Sequence, residues 1–444
     1  MARSLVCALF ALLACLATAA QAGQTFAHYM VGTTTEAHVK QDIDEAAAAG
    51  FDAFALNVGD PTAAYANTTV GYMFKYLEAV QQKYPFKLFI SMDLAAHGTL
   101  NDFTPMVKQY IASSAYRKAG SPAKPFLSTF SGHSNSPSTW NTFLSQFSPK
   151  PYFIPNFDNA PNYFDASDSF WSQWNSVVDG LFSWETAWPK VTEAGTGSIT
   201  QDQKIASGAS KKGKVYMAPL STLQYKNAYG GNWYRNGETN FPVRMKDILN
   251  MKPAFTEVIT WNDGPESHYV GNLFPEQNSS PEPAKYASPN NTTMNHKGWL
   301  PLIKSFTATY KAGKDASQFF PASGKIEGAF WYKSIMQAAS CSGQKPQGFN
   351  NAHDILSWAI LLPANANGYK ARFYTSGKTV AFADLKPWLN YGGMERVQAG
   401  AQTMEVIDGS WRKVFRASGG RELSNGCPDG IYNMNAVVVG LKAV

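Results

Sequence analysis

Lys87-Leu88-Phe89-Ile90-Ser91-Met92-Asp93 is an apolar run that stops at a carboxylate, and its reading decides the fold. A stretch this short and this apolar, bounded by polar residues, reads as a strand buried on both faces. The same shape recurs along the chain. With residues 87–92, strand-like runs stand at 25–31, 52–58, 125–130, 152–155, 180–184, 214–220 and 256–261, which makes eight. Helix-like stretches alternate with them at 38–49, 72–83, 106–116, 139–147, 171–178, 242–250 and 297–311, with a weaker one around 200–207. Strands alternating with helices predict an α/β fold with a parallel sheet, and eight strands are the number that closes a (β/α)8 TIM barrel. An open doubly wound sheet is the rival arrangement of the same elements.

After residue 311 the pattern changes. Short strand-like runs at 328–333, 359–363, 371–375, 380–385, 411–416 and 436–441 are broken by Gly, Asn and Pro. Such spacing predicts a C-terminal antiparallel β-sandwich-like domain instead of further βα units. The expected organisation is a leader over 1–22, a barrel over 23–317 and a β-rich domain over 318–444.

The leader carries Arg3, an apolar run over 5–20 and then Ala20-Gln21-Ala22-Gly23. A basic residue, an apolar stretch and small residues two apart predict a secretory signal peptide. The run falls short of the roughly 20 residues that cross a bilayer, which argues against a membrane anchor. No membrane association is expected after cleavage, and the protein is expected outside the cell or in a cell wall. Cys7 and Cys15 fall in the leader, so Cys341 and Cys427 remain as a pair expected to form a disulfide in an oxidising compartment. Acceptor triplets for N-glycosylation begin at Asn67, Asn278, Asn290 and Asn291.

Charged residues make up 16% of the chain and aromatic residues 14%, with 12 Trp, 21 Tyr and 28 Phe. The low charge argues against disorder, and the aromatics suit both a large core and the flat apolar face of a sugar ring. The net charge of +6 is spread without a Lys/Arg block, so no nucleic-acid partner is expected. A monomer is expected.

In a barrel of this kind the chemistry gathers at the C-terminal ends of the strands. The first strand brings His28-Tyr29 there and the second Asn57. The third brings Ser91-Met92-Asp93 with His97 beyond, and the fifth Asn156-Phe157-Asp158. The sixth ends Ser183-Trp184-Glu185 with Trp188 beyond, and the eighth Trp261-Asn262-Asp263-Gly264-Pro265-Glu266-Ser267-His268-Tyr269. Carboxylates thus follow four strands at one end. Any single Asp can be a turn or helix cap, and Asp158 reads as either a cap or a substrate-positioning group. Asp93, Asp263 and Glu266 stand among Trp, His, Tyr and Asn, as a pair of carboxyls that cleaves a glycosidic bond would. Asp263 and Glu266 lie three residues apart in a Gly-Pro loop, a spacing compatible with an inverting or a retaining pair. Trp184, Trp188, Trp261 and Tyr269 read equally as sugar-stacking or as packing residues.

Other chemistries leave few traces. No Gly-x-Ser-x-Gly elbow is present. Residues 208–214 resemble a phosphate loop, but Val215 replaces its Ser/Thr and a strand follows where a helix should. The seven histidines show no metal-ligand spacing, so no metal and no cofactor are expected.

Trp261-Asn262-Asp263 followed by Glu266-Ser267-His268-Tyr269 resembles the hallmark of glycoside hydrolase family 71, the fungal α-1,3-glucanases or mutanases. His28-Tyr29-Met30-Val31-Gly32, Phe54-Ala55-Leu56-Asn57, Ser91-Met92-Asp93 and Ser183-Trp184-Glu185 extend the likeness through most of the mature chain. The family often has Tyr-Gly before the Glu, where this chain has Gly264-Pro265. The resemblance implies endo-type hydrolysis of α-1,3-glucan with inversion and without a cofactor. It implies Asp263 and Glu266 as the catalytic pair, with Asp93 a third acidic residue. Glu266 is expected to be the general acid, its pKa raised by burial, and Asp263 the base. His28, Tyr29, Asn57, His97, Asn156, Asp158, Trp184, Glu185, Trp188, Trp261, His268 and Tyr269 are expected to contact substrate. The alternative is a secreted, wall-associated carbohydrate-binding protein without catalysis.

Overall fold

The computed structural model describes residues 23–80, 83, 85–277 and 294–444. The expected signal peptide and the acceptor triplets at Asn278, Asn290 and Asn291 lie outside these residues. Asn67 is exposed on a helix.

The first part of the chain contributes β1 (Gln24–Met30), β2 (Ala53–Val58), β3 (Lys87–Asp93), β4 (Lys118–Ala119), β5 (Lys124–Phe130) and β6 (Tyr152–Pro155). It continues with β7 (Gly180–Phe182), β8 (Val215–Leu220), β9 (Gln224–Ala228), β10 (Gly231–Arg235) and β11 (Phe255–Val258). Eight of these are the expected parallel strands, neighbours in the order β6-β5-β3-β2-β1-β11-β8-β7. The sheet curls until its ends approach. An isolated bridge joins Asn156 to Phe182, and the Asp179 carboxylate accepts from the Phe153 N–H at 2.9 Å. The short β4 and the antiparallel hairpin β9–β10 were not expected from the sequence.

Why the sheet curls is visible in its filling. Phe26 of β1 meets Phe89 of β3 at 5.1 Å between ring centres, Phe126 of β5 at 5.5 Å and Phe255 of β11 at 5.5 Å. These four fully or almost fully buried rings plug the end where the strands begin. Side chains alternate along a strand, so the next inward positions on β1 and β11 are His28 and Glu257. The interior thus changes from apolar to polar toward the strands' C-terminal ends.

Helices α1 (Glu36–Ala48), α2 (Ala64–Val80), α3 (Thr104–Tyr110), α4 (Pro137–Leu144), α5 (Asp168–Trp174), α6 (Ile199–Lys211), α7 (Asn240–Met251) and α8 (Leu300–Lys311) cover the sheet. Thr35, Ser136, Ser167 and Ser198 cap α1, α4, α5 and α6, each accepting a main-chain N–H from the first turn. The stretch read as a weak helix at 200–207 is the thirteen-residue α6. Its inward Asp202 accounts for the weak pattern: a buried carboxylate stands where periodicity wants an apolar residue. Asp202 is fully buried against Arg244 of α7 at 2.8 Å and also accepts from Tyr216 and Thr186.

The C-terminal part forms β12 (Glu327–Lys333), β13 (Leu356–Leu362), β14 (Lys370–Thr375), β15 (Lys378–Asp384), β16 (Trp388–Met394), β17 (Gln402–Ile407), β18 (Lys413–Ser418), β19 (Ala436–Gly440) and β20 (Lys442–Ala443). They build two antiparallel sheets, β16-β13-β12-β19 and β15-β14-β17-β18-β20. The sequence pattern missed β16, broken by Asn390, Gly392 and Gly393, and β17, whose Gln402, Thr403 and Glu405 are polar yet buried. Alternation explains why β13 is buried throughout. Phe330, Tyr332, Trp358 and Ile360 face the second sheet, while Ala329, Trp331, Ala359 and Leu361 join the core beneath the α/β part. Trp331 packs edge-on against Trp299, 5.7 Å between centres, and donates its indole N–H to Glu238 O at 2.8 Å. Cys341 and Cys427 form the expected disulfide across 86 residues.

Arg244→Met leaves the Asp202 charge buried without its partner. Unfolding free energy should fall by about 3–5 kcal/mol in a denaturant melt.

Candidate active site

β11 ends at Val258, and the chain then folds back over its end. Asp263 N–H donates to Thr260 Oγ1 at 2.9 Å, and Glu266 N–H donates to Asp263 Oδ1 at 3.0 Å. This short loop turns both carboxyls toward His268, whose Nε2 lies 3.3 Å from Glu266 Oε2 and 3.8 Å from Asp263 Oδ2. His268 is fully buried, Asp263 is 8% exposed, and the Glu266 side chain keeps 20% of its exposure.

The hairpin after β8 closes on this loop. Tyr225 N–H donates to Glu266 O at 3.1 Å, a main-chain link. Gln224 and Lys226 flank it on one face of β9 and reach the side chain itself. Gln224 Nε2 is 2.5 Å from Oε2 and Lys226 Nζ 2.9 Å from Oε1. Sequence reasoning did not find Gln224 and Lys226. The available signal was alternation on either side of Tyr229-Gly230, a two-residue turn ending in glycine.

These neighbours separate the two acids. Burial raises the Asp263 carboxyl well above the usual aspartate range, reinforced by the nearby Glu266 charge and only partly offset by His268. Burial also acts on Glu266, but His268 and Lys226 outweigh it and hold that carboxyl below the usual range. The expectation that Glu266 carries the raised pKa is reversed, because His268 and then Lys226, a lysine distant in sequence, favour its ionised form more than burial opposes it.

Asp93 ends β3 as expected, with Oδ1 accepting from the N–H groups of Ala95 and Ala96 at 3.1 and 3.0 Å. Burial raises its pKa, opposed by those N–H groups, by His28 and by Asn57. His28 points inward, its Nδ1 2.6 Å from Glu257 Oε1. Trp184 links the two sides of the site, its ring 4.9 Å from His28 and 5.9 Å from His268. Trp188 lies 5.4 Å from His268 and carries the Arg235 guanidinium over its face. Arg235 also pairs with the half-exposed Glu185 at 2.8 Å. Trp184, Trp188 and His268 therefore stand beside the Asp263–Glu266 loop, Glu185 is tied to its flank through Arg235, and Asp93 is joined to it at one remove through His28 and Trp184.

Other expected contacts serve the frame. Asp158 Oδ2 accepts from the N–H groups of Trp184 and Glu185, both at 2.7 Å, so it fixes the loop that carries Trp184. Asn156 spans β5 to β7, accepting from Ser131 N–H and donating to Phe182 O. His97 sits at the rim between Asp102 and Asp60. Tyr29, Trp261 and Tyr269 are fully buried away from the acids. Tyr29 and Trp261 both donate to Asp42 of α1, at 3.0 and 2.8 Å. Tyr29 follows the inward His28 and so faces the helix layer. Tyr269 stacks on His296, 3.9 Å between centres, and accepts from Asn435 Nδ2.

Asp263, Glu266 and His268 are also the group of acidic and imidazole side chains whose donor atoms all lie within 4.8 Å of one another among the described residues. Lys226 already brings positive charge to Glu266 there, so the set is charge-matched as an acid–base constellation.

Two carboxyls of opposed proton affinity, partly open and close to tryptophan at the end of a curled α/β sheet, are the kind of arrangement that carboxylate-dependent glycoside hydrolases use. The chain belongs to glycosyl hydrolase family 71, whose model matches residues 21–444. It is 28% identical to a mutanase of Penicillium rubens over 94% of this chain and 88% of that protein. It is 28% identical to a glucan endo-1,3-alpha-glucosidase of Schizosaccharomyces pombe over 77% of this chain and 78% of that one. An ascus wall endo-1,3-alpha-glucanase of the same yeast is 23% identical over 89% and 88%.

Lys226→Met removes one of the charges that hold Glu266 ionised. The Glu266 pKa then rises, the acid limb of the kcat/KM profile should move to higher pH, and the melting temperature at neutral pH should fall, because a depressed carboxyl pKa contributes stability above it.

Proposed function

We propose that this enzyme hydrolyses α-1,3-glucosidic bonds within α-1,3-glucan, with Asp263 as general acid and Glu266 as the ionised partner. The observation that carries this reading is the opposite displacement of the two carboxyls by burial on one side and by Lys226 and His268 on the other. Asp263 keeps its proton at a pH where an ordinary aspartate has lost it, and gives that proton to the bridging oxygen as the bond to C1 breaks. Glu266 takes a proton from the water that attacks C1, leaving a free reducing end. Solvent exchange then restores both groups. Asp93 holds a glucosyl hydroxyl or the attacking water, and Trp184 and Trp188 wall the cleft.

We read the curled sheet as a (β/α)8 barrel over 23–317 whose seam lies between β6 and β7. Residues 318–444 are read as a domain that braces it. The secreted location rests on residues 1–22 and on the kind of polymer the relatives are named for.

Inversion is the course the family likeness implies. One observation favours the other course: carboxyl oxygens of Asp263 and Glu266 approach within 4.8 Å. An inverting pair typically stands roughly 6.5–9.5 Å apart and a retaining pair about 5–5.5 Å. In the second reading Glu266 attacks C1 itself. NMR of products at early times separates them, since inversion releases the β-anomer first and retention the α-anomer.

Asp263→Asn and Glu266→Gln should each lower kcat by roughly 10²–10⁴-fold on α-1,3-glucan. A carboxyl with a raised folded-state pKa costs stability as pH rises through that pKa, so Asp263→Asn should also raise the melting temperature at neutral pH. Near-normal turnover in either variant rejects the assignment. Polymer binding without release of soluble sugar by the unaltered chain supports the non-catalytic alternative.

A further inference from the structure

The β9–β10 hairpin turns through two residues, Tyr229 and Gly230, with φ of 53° and 77°. Two successive positive values match the twist of paired strands and are ordinarily supplied by Asn-Gly or Gly-Gly. A bulky side chain is strained there. Tyr229 nevertheless occupies the position and is 75% exposed, more than any other large apolar residue among the described ones.

The rest of the hairpin links this turn to the acids through Lys226. Across the ladder Lys226 stands opposite Trp233 and Gln224 opposite Arg235, so these four share one face. Gln224 and Lys226 reach Glu266, and Arg235 reaches Glu185. Lys226 Nζ is 2.9 Å from Glu266 Oε1, 4.8 Å from the Trp233 ring centre and 5.9 Å from the Tyr229 ring centre. Gly231 lets the indole lie there, since a Cβ at that position would come within 2.4 Å of it. One ammonium group therefore has a reacting carboxylate on one side and two aromatic rings on the other.

We propose that Tyr229 and Trp233 form a glucosyl-binding subsite next to the cleavage point, occupied by a neighbouring unit of the same glucan chain. The inference rests on the α-1,3-glucan reading above. A pyranose has an apolar face and a rim of hydroxyls. Tyr229 offers the matching ring face, and Lys226 uses one of its three N–H donors on Glu266, leaving others for a hydroxyl. The strained turn holds the ring in place without a floppy linker, which lowers the ordering cost of binding.

The test measures kcat and KM of the full chain on a length series of α-1,3-glucan oligosaccharides, for wild type, Tyr229→Ala, Tyr229→Phe and Trp233→Ala. Tyr229 is exposed in a turn, so its replacement leaves the fold intact. The expected result is a KM raised about tenfold for Tyr229→Ala on the longer oligosaccharides, with kcat within twofold of wild type. Tyr229→Phe should restore the wild-type KM, and Trp233→Ala should also raise KM. An active wild type with an unchanged KM in Tyr229→Ala, or Tyr229→Phe as impaired as Tyr229→Ala, overturns the subsite alone. A wild type that releases no sugar from α-1,3-glucan overturns both the reading of function and the subsite.

Discussion

A single ammonium group, Lys226 Nζ, lies 2.9 Å from Glu266 Oε1, and much of the molecule can be understood as what holds it there. A lysine of its own accord would stay in water, since ordering a long side chain in a half-buried place is costly. Here it is carried by a two-stranded hairpin, and an isolated hairpin is marginal in water. The hairpin must therefore be fastened from outside. The outer edge of β10 supplies the fastening: Tyr234 N–H donates to Gln347 O at 2.7 Å, Gln347 N–H to Asn232 O at 3.0 Å, and Asn232 Nδ2 to Gln344 O at 2.9 Å. The C-terminal part thereby reaches the chemistry without contributing a reacting group.

That arrangement explains why the C-terminal sheet β16-β13-β12-β19 is buried on both sides. One side closes the sandwich, and the other packs Ala329, Trp331, Ala359 and Leu361 into the larger core. Trp331 reaches Glu238 beyond β10, and Glu238 in turn accepts from His353 N–H at 2.7 Å. A docking face this apolar leaves little freedom for the two parts to move apart. The rigidity is useful at the site, where fixed partners separate the proton affinities of two neighbouring carboxyls.

The frame was legible because its signals are local. Every parallel strand announced itself as an apolar run, and the acids followed in sequence directly after strand ends. The hairpin escaped because Gln224, Lys226, Asn232 and Arg235 dilute its apolar content. The strands β16 and β17 were hidden in the same way by glycine and by buried polar groups. Which acid holds the proton was not legible at all. It depends on how deeply each carboxyl is covered, on which of them His268 bonds to, and on Lys226, forty residues before Glu266. Tyr29, Trp261 and Tyr269 were assigned to the cleft by closeness in sequence to His28, Asp263 and His268. Tyr29 and Tyr269 each directly follow an inward histidine, and adjacent residues of an extended chain point opposite ways; Trp261 stands two residues before Asp263 in a turn beyond β11, where strand alternation does not apply. Asp42 and His296 receive these rings behind the sheet.

The bond between Cys341 and Cys427 acquires a meaning from its position. Gln344 and Gln347, which fasten the hairpin, begin three residues after Cys341, so the covalent anchor of that strap is the disulfide. A chain with both thiols reduced would keep its apolar frame, but the strap would be fastened to the hairpin by hydrogen bonds alone, with no covalent tie to residue 427.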